Sequence, residues 1–285
     1  MGLHSYCSIA DIKGVLSITS TTDDTTMRKI AEAASMEIDN YANRTFRAVT
    51  ATKIFDGANK LWVPDLLSIN TSGLKTDEDG DYDYDNAYAV TDYILYGVGL
   101  EDTLNTYPKI RIEIDPNGDY GSFASGYRKG VQIAGIWGYG DGISATPYVA
   151  DTTISEDLTA GEAAIDVTAV TNLSAGQTIL IGTEQYYIYS IDTLTLTTEP
   201  GVNGTTEATH TSGDIIYIYQ YPADIRQACI DLSVFMYQNR DRLGIQSEKI
   251  GDYSYALSAG NLFKGRGVRE VLLNDSIHSY KRMRF

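Results

Sequence analysis

The apolar residues of this chain change their period twice, and that constrains the fold more than any other feature. Near the start, Met27, Ile30, Ala31, Ala34, Ile38 and Tyr41 recur at helical spacing, one face of an amphipathic helix. The cluster Thr21-Thr22-Asp23-Asp24 ahead of it puts acids where the helix dipole favours them. A shorter helix precedes it, opened by Ser8 with Asp11 three residues on, a capping-box layout, and ending near Leu16. From about Ala51 the period becomes two. Ile110 to Asp115 alternates strictly, Pro116-Asn117-Gly118 turns the chain, and Val131 to Trp137 reads as the next strand, so a half-buried antiparallel sheet is expected. At Pro222, expected at a first helical position, the helical period returns. Ile225, Ala228, Cys229, Leu232, Phe235 and Met236 share a face, and the helix is expected to end around Leu243-Gly244.

Between the sheet and the last helix, residues 148–220 form a Thr/Gly-rich stretch with no helical periodicity. Gln177 to Ile181, Tyr186 to Ile191, Leu194 to Thr198 and Ile215 to Tyr219 read as short strands, with Pro147 and Tyr221-Pro222 as boundaries. The expected organisation is a core of residues 1–147 completed by residues 221–285, with 148–220 an inserted all-β domain. The expected class is α+β, a helical core with an antiparallel β region plus that insert.

Charge narrows the function. Ten Lys/Arg face seven Asp/Glu after residue 220, against twelve and thirty-one before it. An acidic body repels phosphates, because nucleic-acid affinity comes from Lys and Arg displacing counterions. The 22 tyrosines suit either protein interfaces or Tyr-rich strands. No run of apolar residues is long enough for a membrane helix, and Met1 to Tyr6 lacks a secretory layout, so a soluble protein made in a cytoplasm is expected. Cys7 and Cys229 lie far apart, and no disulfide is expected.

Few residues suggest chemistry. Asp77, Asp79, Asp81, Asp83 and Asp85 around Gly80 offer hard oxygen ligands. In calcium-loop register, however, Lys75 falls first and Asn86 twelfth, where acids are needed, so a solvated hairpin tip is expected and no metal. His4, His210 and His278 have no Cys or His at ligand spacing, and His210 is expected to make a structural hydrogen bond. Without a G-x-S-x-G, a phosphate-binding glycine loop or a Cys/His pair, no catalytic residue and no cofactor is expected.

The segments "IADIKGVLSI" to "NRTF" (Ile9 to Phe46), "TDYILY" (Thr91 to Tyr96), "IAGIWGYG" (Ile133 to Gly140), "YPADIRQACIDLSVFMYQNRDRLGI" (Tyr221 to Ile245) and "SEKIGDYSY" (Ser247 to Tyr255) follow one another in the order found in head-tail connector (adaptor) proteins of long-tailed double-stranded DNA phages, which this chain resembles. In the simpler family pattern the "WGYG" strand leads almost directly into the "PADIRQA" helix; here 148–220 intervene. The insert resembles a small β module of phage structural proteins that usually carries Arg just before its "GVNGT" turn, where this chain has Pro200. The resemblance implies a virion neck protein that forms a ring, dodecameric like the portal, with the portal and the next neck or tail-completion protein as partners. DNA would pass through the lumen without specific binding, the insert would project outward, and no membrane would be involved. It also implies that the basic C-terminus is a portal-docking arm, mobile until docked, comprising Lys264, Arg266, Arg269, Leu272, Leu273, Ile277, Lys281, Arg282 and Arg284, with Val268 and Val271 as further apolar contacts. The alternative is a tail or surface module that recognises glycan or calcium through its Tyr-rich β domain.

Overall fold

The computed structural model describes residues 3–98, 106–240, 273 and 277–282, together with the backbone of 247–250 and 253–256. Helix α1 (Ile9–Leu16) starts where the capping box places it. The Ser8 hydroxyl accepts the Asp11 N–H at 3.2 Å while the Asp11 carboxylate accepts the Ser8 N–H at 2.9 Å. Helix α2 (Asp24–Ala42) buries Met27, Ala31, Ala34 and Ile38, the face its period assigned. Helix α3 (Ala223–Gln238) has Pro222 as its N-cap and not at its first helical position. Its helical run stops at Gln238, short of Leu243-Gly244; residues 241–246 lie outside the described ones. Arg226 of α3 donates to both oxygens of Asp11, at 2.5 and 3.2 Å, tying the two helices together.

The first sheet holds β1 (Val49–Phe55), β2 (Lys60–Thr76), β3 (Asn86–Ala87), β4 (Tyr93–Gly97), β5 (Lys109–Ile114) and β6 (Val131–Trp137). It is antiparallel in the order β1-β6-β2-β5-β4, with β3 on β2. Alternate residues of β6, Val131, Ile133 and Trp137, meet Leu61, Val63, Leu74, Ile112 and Phe123 in a core of their own. Strand β2 is the longest, yet its alternation is broken by register shifts between Trp62 and Leu66 and between Ile69 and Leu74. Those bulges hid it from a period-two reading.

The second sheet holds β7 (Tyr148–Thr153), β8 (Ala164–Asp166), β9 (Thr178–Ile181), β10 (Glu184–Asp192), β11 (Thr195–Glu199) and β12 (Ile215–Tyr219), in the order β7-β12-β9-β10-β11-β8. Its two outer strands meet just beyond their ends. Ile154 bridges Val167, Ser155 N–H donates to Asp166 at 2.8 Å and Thr168 N–H to Thr153 at 3.0 Å. The sheet therefore bends round toward a small barrel, which limits exposed edges, over a core that includes Ile165, Ile179, Ile181, Tyr186, Ile188, Leu196 and Ile216. The hairpin β13 (Ser247–Ile250) and β14 (Tyr253–Ala256) completes the described strands.

One expectation is corrected. The fold is not a helical core with a β region attached: among the described residues two six-stranded antiparallel sheets dominate, and α1, α2 and α3 gather in a cluster beside them. Helical period identifies a helix, but it does not say how much of the core other segments build. The stretch 148–220 is also tied to the rest of the subunit. Its Tyr187 hydroxyl donates to Glu32 of α2 at 2.9 Å, Gln185 Nε2 to the Ala48 carbonyl at 3.1 Å and the Tyr219 hydroxyl to the Phe46 carbonyl at 2.9 Å, while the Ile9 N–H donates to the Ala175 carbonyl at 2.9 Å. The Gly204 turn lies so close to β1 that a Cβ there would stand 2.3 Å from the Thr50 carbonyl oxygen, and its φ of 78° independently favours glycine.

A run of aromatic rings crosses these junctions. Tyr280, Tyr139, Phe46, Tyr6, Tyr221, Tyr219 and Tyr148 follow one another at centroid distances of 5.3, 5.4, 5.6, 4.8, 4.8 and 5.0 Å. They link the C-terminal segment, the end of β6, the N-terminal segment, α3 and the second sheet.

Deleting residues 148–220 uncovers the apolar patch of Ala48, Leu67 and Ile136 and leaves Glu32 without Tyr187. The remainder is expected to bind a hydrophobic dye and to lose near-ultraviolet circular dichroism, whereas the isolated 148–220 module, with its own core, is expected to melt cooperatively as an all-β domain. At Asp11, burial opposes the charge, but Arg226 and Ser8 more than offset it and hold the pKa below the usual value. A depressed carboxylate contributes stability above its unfolded pKa of about 3.9, and that contribution fades as pH falls through the folded value. Asp11→Ala should therefore cost about 1–2 kcal/mol in urea unfolding at pH 7, with the gap from the parent chain closing as pH falls below the ordinary carboxylate range.

Candidate functional site

The C-terminal segment was the strongest site expectation. Lys264, Arg266, Arg269, Leu272 and Arg284, with Val268 and Val271, lie outside the described residues. The others are not free. Leu273 and Ile277 are 3% and 0% exposed, packed into the helical cluster. The Arg282 N–H donates to the Ala42 carbonyl at 2.8 Å and its guanidinium to the Val63 carbonyl at 3.0 Å. Lys281 Nζ stands 4.9 Å from the Tyr41 ring centroid. A buried carboxylate, Asp65 of β2, lies 3.7 Å from Arg282 and 3.6 Å from Arg44. Burial pushes the Asp65 pKa up, and Arg44, Arg282 and Lys53 counter only part of that. A uniformly mobile arm is thus corrected for 273 and 277–282: apolar side chains expected on a partner are already buried within the subunit.

The aspartate run sits where β2 turns into β3, with Thr76 paired to Asn86 and Lys75 to Ala87. The carboxylate of buried Asp77 accepts the N–H groups of Gly80 at 2.7 Å, Tyr82 at 2.8 Å and Asp79 at 3.2 Å; Asp79 accepts from Asp81, and Asp81 from Asp83. Aspartate at alternate positions is what successive side-chain-capped turns require. Tyr82 and Tyr84 take left-handed backbone conformations here, and the Tyr84 hydroxyl anchors the tip on the Lys129 carbonyl at 2.8 Å. Ligand oxygens of Asp77, Asp79 and Asp81 lie within 4.8 Å of one another, within reach of one hard cation. Turn chemistry already accounts for them.

His210 is buried against Glu184, with Nε2 3.0 Å from the carboxylate. Glu184 also accepts the Tyr186 hydroxyl at 2.8 Å, the Gly201 N–H at 3.0 Å and the Ala208 N–H at 2.9 Å. A fully buried carboxylate with four donors clasps the loop from Gly201 to His210, which includes the "GVNGT" turn resting on β1. Its function is structural.

No protein-family model matches the chain, and no curated protein matches it in sequence. Among the described residues no helix is long and apolar enough to cross a membrane. Two open clefts, of about 700 and 420 Å³, lie where the 148–220 module meets the rest of the chain.

One surface feature was not read from the sequence. Trp62, Arg111 and Tyr96 stand side by side on β2, β5 and β4, in register. The Arg111 guanidinium lies 4.0 Å from the Tyr96 ring centroid and 5.6 Å from that of Trp62, and Trp62 is 66% exposed. Below them Glu113 pairs with Lys60 at 2.8 Å and Arg111 at 3.1 Å. Trp62 is exposed and Tyr96 and Arg111 are half-buried beside it, and Trp, Tyr and Arg are the side chains most enriched in protein interfaces. A signal existed in the Trp62 side chain, but only pairing across three strands assembles the group.

Melting temperatures in millimolar calcium and in chelator are expected to agree. An ion held at a hundred times its dissociation constant would add about 2.7 kcal/mol and raise the melting point visibly.

Proposed function

We propose that this chain is a structural subunit of a phage neck, a head-to-tail connector that assembles as a ring between portal and tail and lets DNA pass. The observation that carries the reading is the doorway of the 148–220 module. Tyr148 of β7 pairs with Tyr219 of β12, and Gln220 N–H donates to the Pro147 carbonyl at 2.8 Å, so the module enters and leaves the chain at one point. A segment attached in this way adds to a shorter chain without separating what lies on either side. That supports matching "IAGIWGYG" and "YPADIRQA" to the uninterrupted connector pattern. The charge fits the same reading: a strongly acidic body lining a lumen repels phosphates and lets DNA slide.

In this reading the Trp62–Arg111–Tyr96 surface contacts the neighbouring copy, and the basic residues after Gly260 steer docking onto an acidic portal rim, which makes assembly salt-sensitive. A second reading, a surface module that binds calcium or glycan, is favoured only by the spacing of Asp77, Asp79 and Asp81. The two differ in portal dependence. Particle mass measured with and without the cognate portal ring should show a cyclic oligomer, a dodecamer on a twelve-fold portal, on portal addition. Trp62→Ala, which disturbs no buried contact, should weaken that assembly at least tenfold, as loss of a central interface aromatic does. Particle mass unchanged by portal would reject the connector reading.

A further inference from the structure

Cys7 and Cys229 are 222 residues apart, yet their sulfurs lie 3.2 Å from each other. Cys7 belongs to the extended segment ahead of α1, and Cys229 lies on the buried face of α3. They are 3% and 0% exposed, both as free thiols. The Ser233 hydroxyl is 3.9 Å from the Cys7 sulfur, and the Ser35 hydroxyl 3.4 Å from that of Cys229. Among the described residues no His, Asp or Glu joins the pair into a metal-ligating group. Two thiols in contact can join as a disulfide. Reaching a disulfide length of about 2.05 Å requires the sulfurs to close by about 1.2 Å, a movement within reach of small side-chain rotations.

Burial by itself leaves a thiol inert, so access decides whether the reaction occurs. The 700 Å³ cleft supplies it: Ser5, Cys7, Ser8, Thr178, Tyr221 and Arg226 are among its lining residues, which brings a small solute to the wall that holds Cys7. We propose that Cys7 and Cys229 are a modification site, a dithiol that a peroxide oxidises to a reversible disulfide fastening the N-terminal segment to α3. Each thiol gives up one proton and one electron, the Sγ–Sγ bond forms, and the O–O bond of the peroxide breaks, its oxygens leaving as two waters. The contact with Cys229, then burial, raises the pKa of Cys7, the sulfur on the cleft wall, so its thiolate is scarce and the oxidation is slow. The thiolate is the reactive form.

The consequence is mechanical. Tyr6, next to Cys7, is the ring that joins Phe46 to Tyr221, so the cross-link holds the aromatic run in place. The loop it closes spans most of the chain, where loss of unfolded-state freedom is large. The chemistry is independent of the connector reading; a virion subunit would undergo it on leaving a reducing cytoplasm.

The test uses the full-length protein, reduced, then exposed to hydrogen peroxide, denatured, alkylated and weighed intact. Expected are loss of both alkylatable thiols, a mass lower by about 2 Da, no covalent dimer, and a melting temperature higher by roughly 5–10 °C, all reversed by dithiothreitol. Cys7→Ser and Cys229→Ser should each abolish the thermal gain. The parent protein's mass decides the matter even if a serine variant folds poorly. Two thiols still alkylated, oxygen gained without a cross-link, or a disulfide between two chains would each overturn the proposal.

Discussion

The placement of Tyr6 is the constraint on which the rest of the molecule depends. Its ring is buried between Phe46 and Tyr221, and its hydroxyl accepts the Phe46 N–H at 3.0 Å while donating to Asp39 of α2. Burial, then the Asp39 charge, raises its pKa well above the ordinary phenol value, so the hydroxyl stays a donor at any working pH. Asp39 is held in turn by His4 Nε2 at 3.2 Å, and His4 meets Arg47 through its other ring nitrogen. The Tyr6 backbone N–H donates to Ser35 at 2.9 Å. A six-residue stretch with no regular structure thereby sets the spacing of α2, α3 and both sheets. Ring pairs of this geometry contribute about 0.5–1.5 kcal/mol each beyond their burial, and the run from Tyr280 to Tyr148 contains six.

This changes the meaning of the tyrosine count. Tyr6, Tyr186, Tyr187 and Tyr219 are joints within the subunit, where a large apolar ring fills the gap between layers and its hydroxyl finds a backbone or carboxylate partner. The same amphipathic property that suits Tyr to protein interfaces suits it to interfaces between layers of one chain. Among the described residues the exposed aromatic side chains are Trp62, which stands beside half-buried Arg111 and Tyr96, and Tyr82 and Tyr127. Because the second sheet closes toward a barrel, its route to association is through side-chain faces more than strand edges.

The C-terminal segment shows how one composition serves two ends. Excess Lys and Arg with scattered apolar residues reads as an unfolded arm, because no stretch of it presents a continuous apolar face. Leu273 and Ile277 need no such face: each fills a gap in a cluster the helices have already built, and Arg282 meets a carboxylate, Asp65, that would be costly to bury without cationic neighbours. Docking charge on this segment therefore rests on residues beyond these anchors.

The sequence by itself determined the local elements. The Ser8–Asp11 box, the face of α2, β6 from Val131 to Trp137 and β12 from Ile215 to Tyr219 stand where period and capping put them, because each is set by residues within a few positions of one another. Tertiary structure decided what depends on distant partners. Strand β2 exists because β5 and β6 pair with it across its bulges; the Trp62–Arg111–Tyr96 row exists because three strands share a register; Cys7 meets Cys229 because Tyr6 seats the N-terminal segment against α3. The balance between helix and sheet belongs to the same class. Period tells which face of each segment seeks cover, whereas which segment supplies that cover is a property of the assembled chain.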